Sequence, residues 1–187
     1  MKKISILAVC LFGFIVGTNA QVALGIKGGL NFANVDADDA FGDPDSKTGY
    51  HFGAFLEVGL GGIHLQPELL FSVKGTDDVD LSYVEVPILL KKNFAKVLNV
   101  HFGPQFGFLT SAEGDLDADG SDEDIKDFFK SSDLSAVIGA GVNAPFGLTA
   151  GIRYVYGLSD VWDNDLLDTE IKNRTTQIYV GWKFAGN

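Results

Sequence analysis

Cysteine is almost absent from this chain: Cys10 is the only one among 187 residues, and it sits inside the N-terminal apolar run. An internal disulfide, a thiolate metal site and a paired redox motif are therefore excluded. Basic residues are scarce as well, 14 against 25 acidic ones, for a formal net charge of −11. A chain so acidic lacks the basic surface that phosphates require, which excludes nucleic acid as a partner. Beyond residue 20 no apolar run is long enough for a spanning helix. If that part of the chain enters a bilayer it does so as strands, because in hydrocarbon only helices and closed barrels satisfy every backbone polar group. Nucleophile elbow, phosphate loop and nucleotide fingerprint are missing too.

What is present begins with MKK, the apolar stretch Ile4 to Gly17, and Thr18-Asn19-Ala20 before Gln21. That order of charge, apolar core and small residues predicts a secretory signal peptide over residues 1–20, leaving 21–187 as one exported domain. Without Lys2 and Lys3, 12 basic residues face 25 acidic ones, a net charge of −13.

Period-2 alternation, glycine and aromatics predict β structure throughout, in eight strands near 22–34, 49–60, 63–75, 81–92, 98–111, 133–143, 148–158 and 173–184. Most run to ten residues or more, and about ten tilted residues cross a bilayer, whereas about five or six suffice in soluble sheets. Connections at 35–48, 76–80, 112–132 and 159–172 read as long, and those at 61–62, 93–97 and 144–147 as tight. The four long ones hold 21 of the 25 acidic residues, so an acidic crown is expected at one end and both termini at the other. Only Glu57, Glu68, Glu85 and Asp133 fall within strands.

Parity divides each strand. One face carries bulky apolar groups such as Leu24, Ile26, Phe52, Val58, Val84, Val86, Ile138, Ile152 and Val180. The other mixes glycine with Lys27, His51, Glu57, His64, Gln66, Glu68, Tyr83, Glu85, His101, Gln105, Arg153, Gln177 and Lys183. An eight-stranded barrel encloses room for side chains or one small ligand, so the bulky set does not fit inside and must meet lipid. The fold expected is an all-β, eight-stranded antiparallel up-and-down transmembrane barrel with short periplasmic turns and long acidic outer loops. Aromatic girdles are expected at both interfaces, with Tyr50, Phe108, Tyr154 and Tyr156 at one and Phe94, Phe146, Trp182 and Phe184 at the other. Lys27, Glu68, Glu85 and Arg153 are expected to pair inside as a lumen charge network, since pairing makes buried charge tolerable. Pro67 and Pro87 cannot donate to a ladder, which predicts bulges or irregular pairing beside them.

GIKGGLNFANV at 25–35, LQPELLFSVKG at 65–75, YVEVPILLKKNF at 83–94, GPQFGFL at 103–109 and GIRYVYGLSDV at 151–161 together resemble the PorT-like family of small outer-membrane β-barrels. The resemblance covers nearly all of the chain after residue 20. It implies an architecture similar to OmpX and the OmpA membrane domain, in a Gram-negative outer membrane with periplasmic termini. The family's namesake is associated with a secretion apparatus, but a shared barrel does not transfer a role.

Sites of chemistry are few. In DLDADGSDED at 115–124, Asp115, Asp117, Asp119 and Gly120 copy the first half of an EF-hand loop, with Lys126 where the bidentate glutamate should stand. Weak calcium binding by this loop competes with a purely solvated acidic loop. His64 and His101 are expected toward the end that carries the termini and His51 toward the other, which disfavours a three-histidine metal site. No other cofactor is indicated. The function expected is non-enzymatic: a structural or surface-binding barrel among outer-membrane lipids, its acidic loops facing cations or a cell-envelope or secretion partner protein. The competing readings are a lipid-modifying barrel enzyme, using His51 beside Ser46 or Ser159, and a soluble secreted β-barrel carrier.

Overall fold

The computed structural model describes residues 21–34, 48–60, 62–76, 79–94, 97–115, 122–124, 132–160 and 172–185. The expected signal peptide, most of the acidic loops, Ser46, Asp117 and Asp119 lie outside the described residues, as does the Asp115 side chain.

Alternating residues with many β-branched and aromatic members build long strands: β1 (Gln21–Asn34), β2 (Thr48–Leu60), β3 (Ile63–Thr76), β4 (Val79–Phe94) and β5 (Leu98–Asp115). They continue as β7 (Ser132–Asn143), β8 (Leu148–Asp160) and β9 (Lys172–Ala185), while the three-residue β6 (Asp122–Asp124) pairs only with the far end of β5. Neighbours run β4-β3-β2-β1-β9-β8-β7-β5, and β4 also pairs with β5. Every pairing is antiparallel, so eight strands close an up-and-down barrel. Closure leaves no barrel strand edge unpaired. Among the described residues no helix is long and apolar enough to cross a membrane.

The end that carries the termini has tight connections. Gly62 turns the β2–β3 hairpin with φ 91°, and a single 3-10 turn over Pro145–Gly147 joins β7 to β8. There Phe146 takes φ 62° and Gly147 φ 82°, and the Phe146 carbonyl accepts a 2.8 Å bond from Trp182 Nε1. At the opposite end one expectation is corrected. The β3–β4 connection spans only residues 77–78, because pairing continues through Gly75↔Asp80 and Thr76↔Val79. Asp80 belongs to a strand, its backbone paired with Gly75.

The prolines interrupt the ladders without moving them. Between β3 and β4 the pairs run Gln66↔Leu89 and Pro67↔Ile88, then resume at Leu70↔Glu85 in unchanged register. Between β4 and β5, Pro87↔Gln105 is followed by Leu90↔Phe102, a gap opposite Pro104. Each gap includes one position where a proline has no N–H to offer, Pro87 opposite Glu68 in the first and Pro104 opposite Ile88 in the second. The bulges themselves lie elsewhere, at Leu24/Gly25, Ser82/Tyr83 and Tyr156/Asp160.

The bulky face is turned outward: Ile26, Phe52, Phe102, Ile138, Ile152, Val180 and Trp182 are all exposed, Ile138 by 65%. Val58, expected on that face, is only 8% exposed. The packed interior is the lumen. Beside the expected Tyr83, which clusters with Leu109 and Ala112, it contains apolar side chains not named among the expected inward residues, with Leu89, Val137 and Val155 in a second cluster. Closure brings inward-facing Leu and Val from strands far apart in sequence into contact there.

Candidate functional site

Inward-facing polar side chains stack in three levels along the lumen. At the middle level Glu68 stands between two cations. Its Oε1 accepts bonds from Lys27 Nζ at 2.8 Å and Gln66 Nε2 at 2.7 Å, and its Oε2 accepts one from Arg153 Nη1 at 2.8 Å. Glu68 is on β3 and Arg153 on β8, four places apart in the ring of eight, so this ion pair spans the barrel's diameter. Arg153 Nε donates to Gln177 Oε1, and Gln177 Nε2 donates to Asn31 Oδ1 at 2.9 Å. That same oxygen accepts from His51 Nδ1 at 2.8 Å, and Asn31 Nδ2 donates to Ser72 Oγ at 2.9 Å. Because Asn31 Oδ1 can only accept, this assignment fixes the proton of His51 on Nδ1. Lys27 Nζ also lies 4.1 Å from the centroid of the Tyr179 ring, an aromatic face that stabilises a cation withdrawn from water.

The level nearest the termini is organised by Glu57, whose Oε2 meets Lys91 Nζ at 2.9 Å and Lys183 Nζ at 3.6 Å. Its Oε1 meets His64 Nδ1 at 3.0 Å, and Asn93 Nδ2 donates to the far nitrogen of that ring at 3.0 Å. The third level lies toward the loops. There Lys74 pairs with Glu85, and the ammonium stands 5.2 Å from the Tyr83 ring centroid. Glu85, Gly107 and Asp133 form one row across β4, β5 and β7. A side chain at 107 would collide with Asp133 Oδ1, so glycine there is what admits the second carboxylate. Glu85 Oε2, Asp133 Oδ1, Tyr83 OH and both amide atoms of Gln105 have no hydrogen-bond partner among the described residues.

The charged and amide groups sit inside the ring and most large apolar side chains outside it, the pattern of a barrel immersed in lipid. Residues 18–163 match the family model described as the outer membrane protein beta-barrel domain. The chain belongs to this family. This outer-membrane barrel is accordingly a transmembrane protein of the Gram-negative outer membrane. It is similar in fold to Neisserial surface protein A, at 15% identity and TM-score 0.53, covering 89% of this chain and 100% of that one. It is likewise similar to Ail, the attachment invasion locus protein of Yersinia pestis, crystallised with the heparin analogue sucrose octasulfate. There the identity is 15% and the TM-score 0.52, over 89% of this chain and 100% of that one. No curated protein matches it in sequence.

Of the four residues expected to pair in this outer-membrane barrel, Lys27, Glu68 and Arg153 meet at one level. Glu85 does not join them, since it stands one level toward the loops with Lys74. Lys74, Lys91 and Asp133 were not among the expected lumen charges, although parity alone puts all three on the inward face. His64 and His101 have separate partners: Glu57 and Asn93 for the first, Asn99 Oδ1 at 3.2 Å for the second. His51 is 1% exposed and faces the lumen, not the rim where an expected lipid substrate would reach it.

Proposed function

We propose that this barrel is a closed, non-enzymatic outer-membrane protein, with its termini in the periplasm and its long acidic loops at the cell surface as an interaction surface. The observation that carries the reading is the Glu68–Arg153 pair across the lumen, at 2.8 Å with both side chains fully buried. Gln177, Asn31, His51 and Ser72, joined by hydrogen bonds beside it, add to the side chains that occupy this level, which supports a lumen closed to solutes. The PorT-like motifs support a finer placement among small barrels of the cell envelope, with the loops docking a cell-envelope or secretion partner. Asp115, Asp117 and Asp119 are the residues we assign to weak calcium binding in the β5–β7 connection.

Liposome swelling tests the closed lumen. Vesicles containing the folded barrel should swell in small sugars no faster than protein-free vesicles, and sugar-dependent swelling would overturn the proposal. Lipid esterase assays test the absence of catalysis: turnover by the wild type that His51→Ala abolishes would replace this reading with an enzyme.

A further inference from the structure

The lipid-facing surface is not evenly filled. A groove of about 680 Å³ runs from Phe32 on β1 across β9, β8 and β7 to Val100 on β5, along two adjacent rows of paired residues. One row is Thr176, Tyr154 and Ile138; the other is Ile178, Ile152 and Ala140. Thr176 and Ala140 are its low points, small side chains among large ones. Eight-stranded barrels tilt their strands by about 35–45° from the membrane normal, so rows perpendicular to the strands climb through the bilayer at a similar inclination to its plane. A chain lying in this groove would run from the interface into the hydrocarbon.

The next row toward the loops pairs Arg174 with Tyr156, both on the same outward face. The Arg174 guanidinium carbon lies 5.5 Å from the Tyr156 ring centroid, which holds the cation at the rim over an amphipathic aromatic. Among the described side chains, no acid faces lipid and the outward bases are Arg174 and Lys92. Lys92 lies at the opposite rim, over Phe94. An arginine fork directly above an apolar groove combines a phosphate receptor with an acyl-chain receptor.

We propose that this face binds one lipid of the leaflet at the loop end, a phosphorylated, acylated glycolipid. Its phosphate sits on Arg174 and one acyl chain in the groove over Ala140. Assignment to a glycolipid rests on the proposed surface orientation of the loops; the binding chemistry does not. Phosphate on guanidinium gives charge-assisted, forked hydrogen bonds at the interface, and the groove removes apolar surface that a smooth wall would leave loosely packed.

Native mass spectrometry of the full-length barrel, released from micelles containing lipid A, dephosphorylated lipid A or phosphatidylglycerol, tests it. The wild type should retain one lipid A, and retention should fall about tenfold or more on dephosphorylation or in Arg174→Gln, as expected for losing a charge-assisted contact. Ala140→Phe should lower retention of both lipid A forms by obstructing the groove. Slower gel migration after boiling confirms that each variant had folded. Equal retention by wild type and Arg174→Gln overturns the phosphate site, and unchanged retention by Ala140→Phe overturns the groove. Phosphatidylglycerol held as tightly as lipid A overturns the glycolipid assignment. Micelles have no sidedness, so these outcomes are independent of whether the loops prove to face the cell exterior.

Discussion

Glu68 is the one anion shared by Lys27 and Arg153, and both of its oxygens are engaged. Removing it leaves two buried cations facing each other, whereas removing Arg153 still leaves Glu68 paired with Lys27. Breaking a buried ion pair by deleting one partner costs about 3–5 kcal/mol. Glu68→Leu should therefore destabilise the folded barrel by about that amount, and by more than Arg153→Leu, in urea unfolding from detergent followed by tryptophan fluorescence. A smaller loss for Glu68→Leu than for Arg153→Leu would show that the middle level is not organised around the carboxylate. By contrast, the double replacement Lys74→Met with Glu85→Leu removes both charges of one pair and should cost less than Lys74→Met alone, which leaves Glu85 and Asp133 buried without their cation. Parity alone made Lys27, Glu68 and Arg153 legible, because each stands on the small and polar face of its strand. It could not separate Glu85 from them: depth in a tilted barrel depends on the stagger between strands, which one strand's alternation does not encode.

At the scale of an element, the β7–β8 turn carries the most constrained backbone described. Gly147 has φ 82°, and a Cβ there would run into the Lys183 carbonyl oxygen on β9. Left-handed backbone disfavours a side chain by about 1 kcal/mol, and the collision adds to it. Gly147→Ala should therefore lower stability by more than about 1 kcal/mol and leave the Glu68 level intact, read from the same unfolding curves. An Ala variant as stable as wild type would mean that the turn can relax away from β9. Strand existence was legible throughout, since long period-2 alternation is a strong local signal. The β3–β4 hairpin was not, because Asp77, Asp78 and Asp80 read as loop composition while pairing runs through Gly75↔Asp80. The effect of the prolines was half legible. Lost donors were foreseeable, but whether a strand answers with a bulge or with a gap in constant register depends on both neighbours at once.

At the scale of the whole molecule, lumen charge and outer surface divide the labour. Paired charges fill the interior, and the chain's remaining acidic residues concentrate toward the end away from the termini. Which side of the membrane that end occupies is testable because the only cysteine is Cys10, inside the expected signal peptide. Cleavage after Ala20 would leave a mature chain without thiols, so one introduced cysteine would report one position. Ser121→Cys lies in the β5–β7 connection and Ala95→Cys in the tight β4–β5 connection at the opposite end. With loops at the surface, a membrane-impermeant maleimide should label Ser121→Cys in intact cells and Ala95→Cys only after the outer membrane is opened. The unsubstituted chain should stay unlabelled in both conditions, which tests removal of Cys10 in the same experiment. The reverse pattern would put the end away from the termini in the periplasm, where its connections could not serve as a surface for extracellular cations or partners.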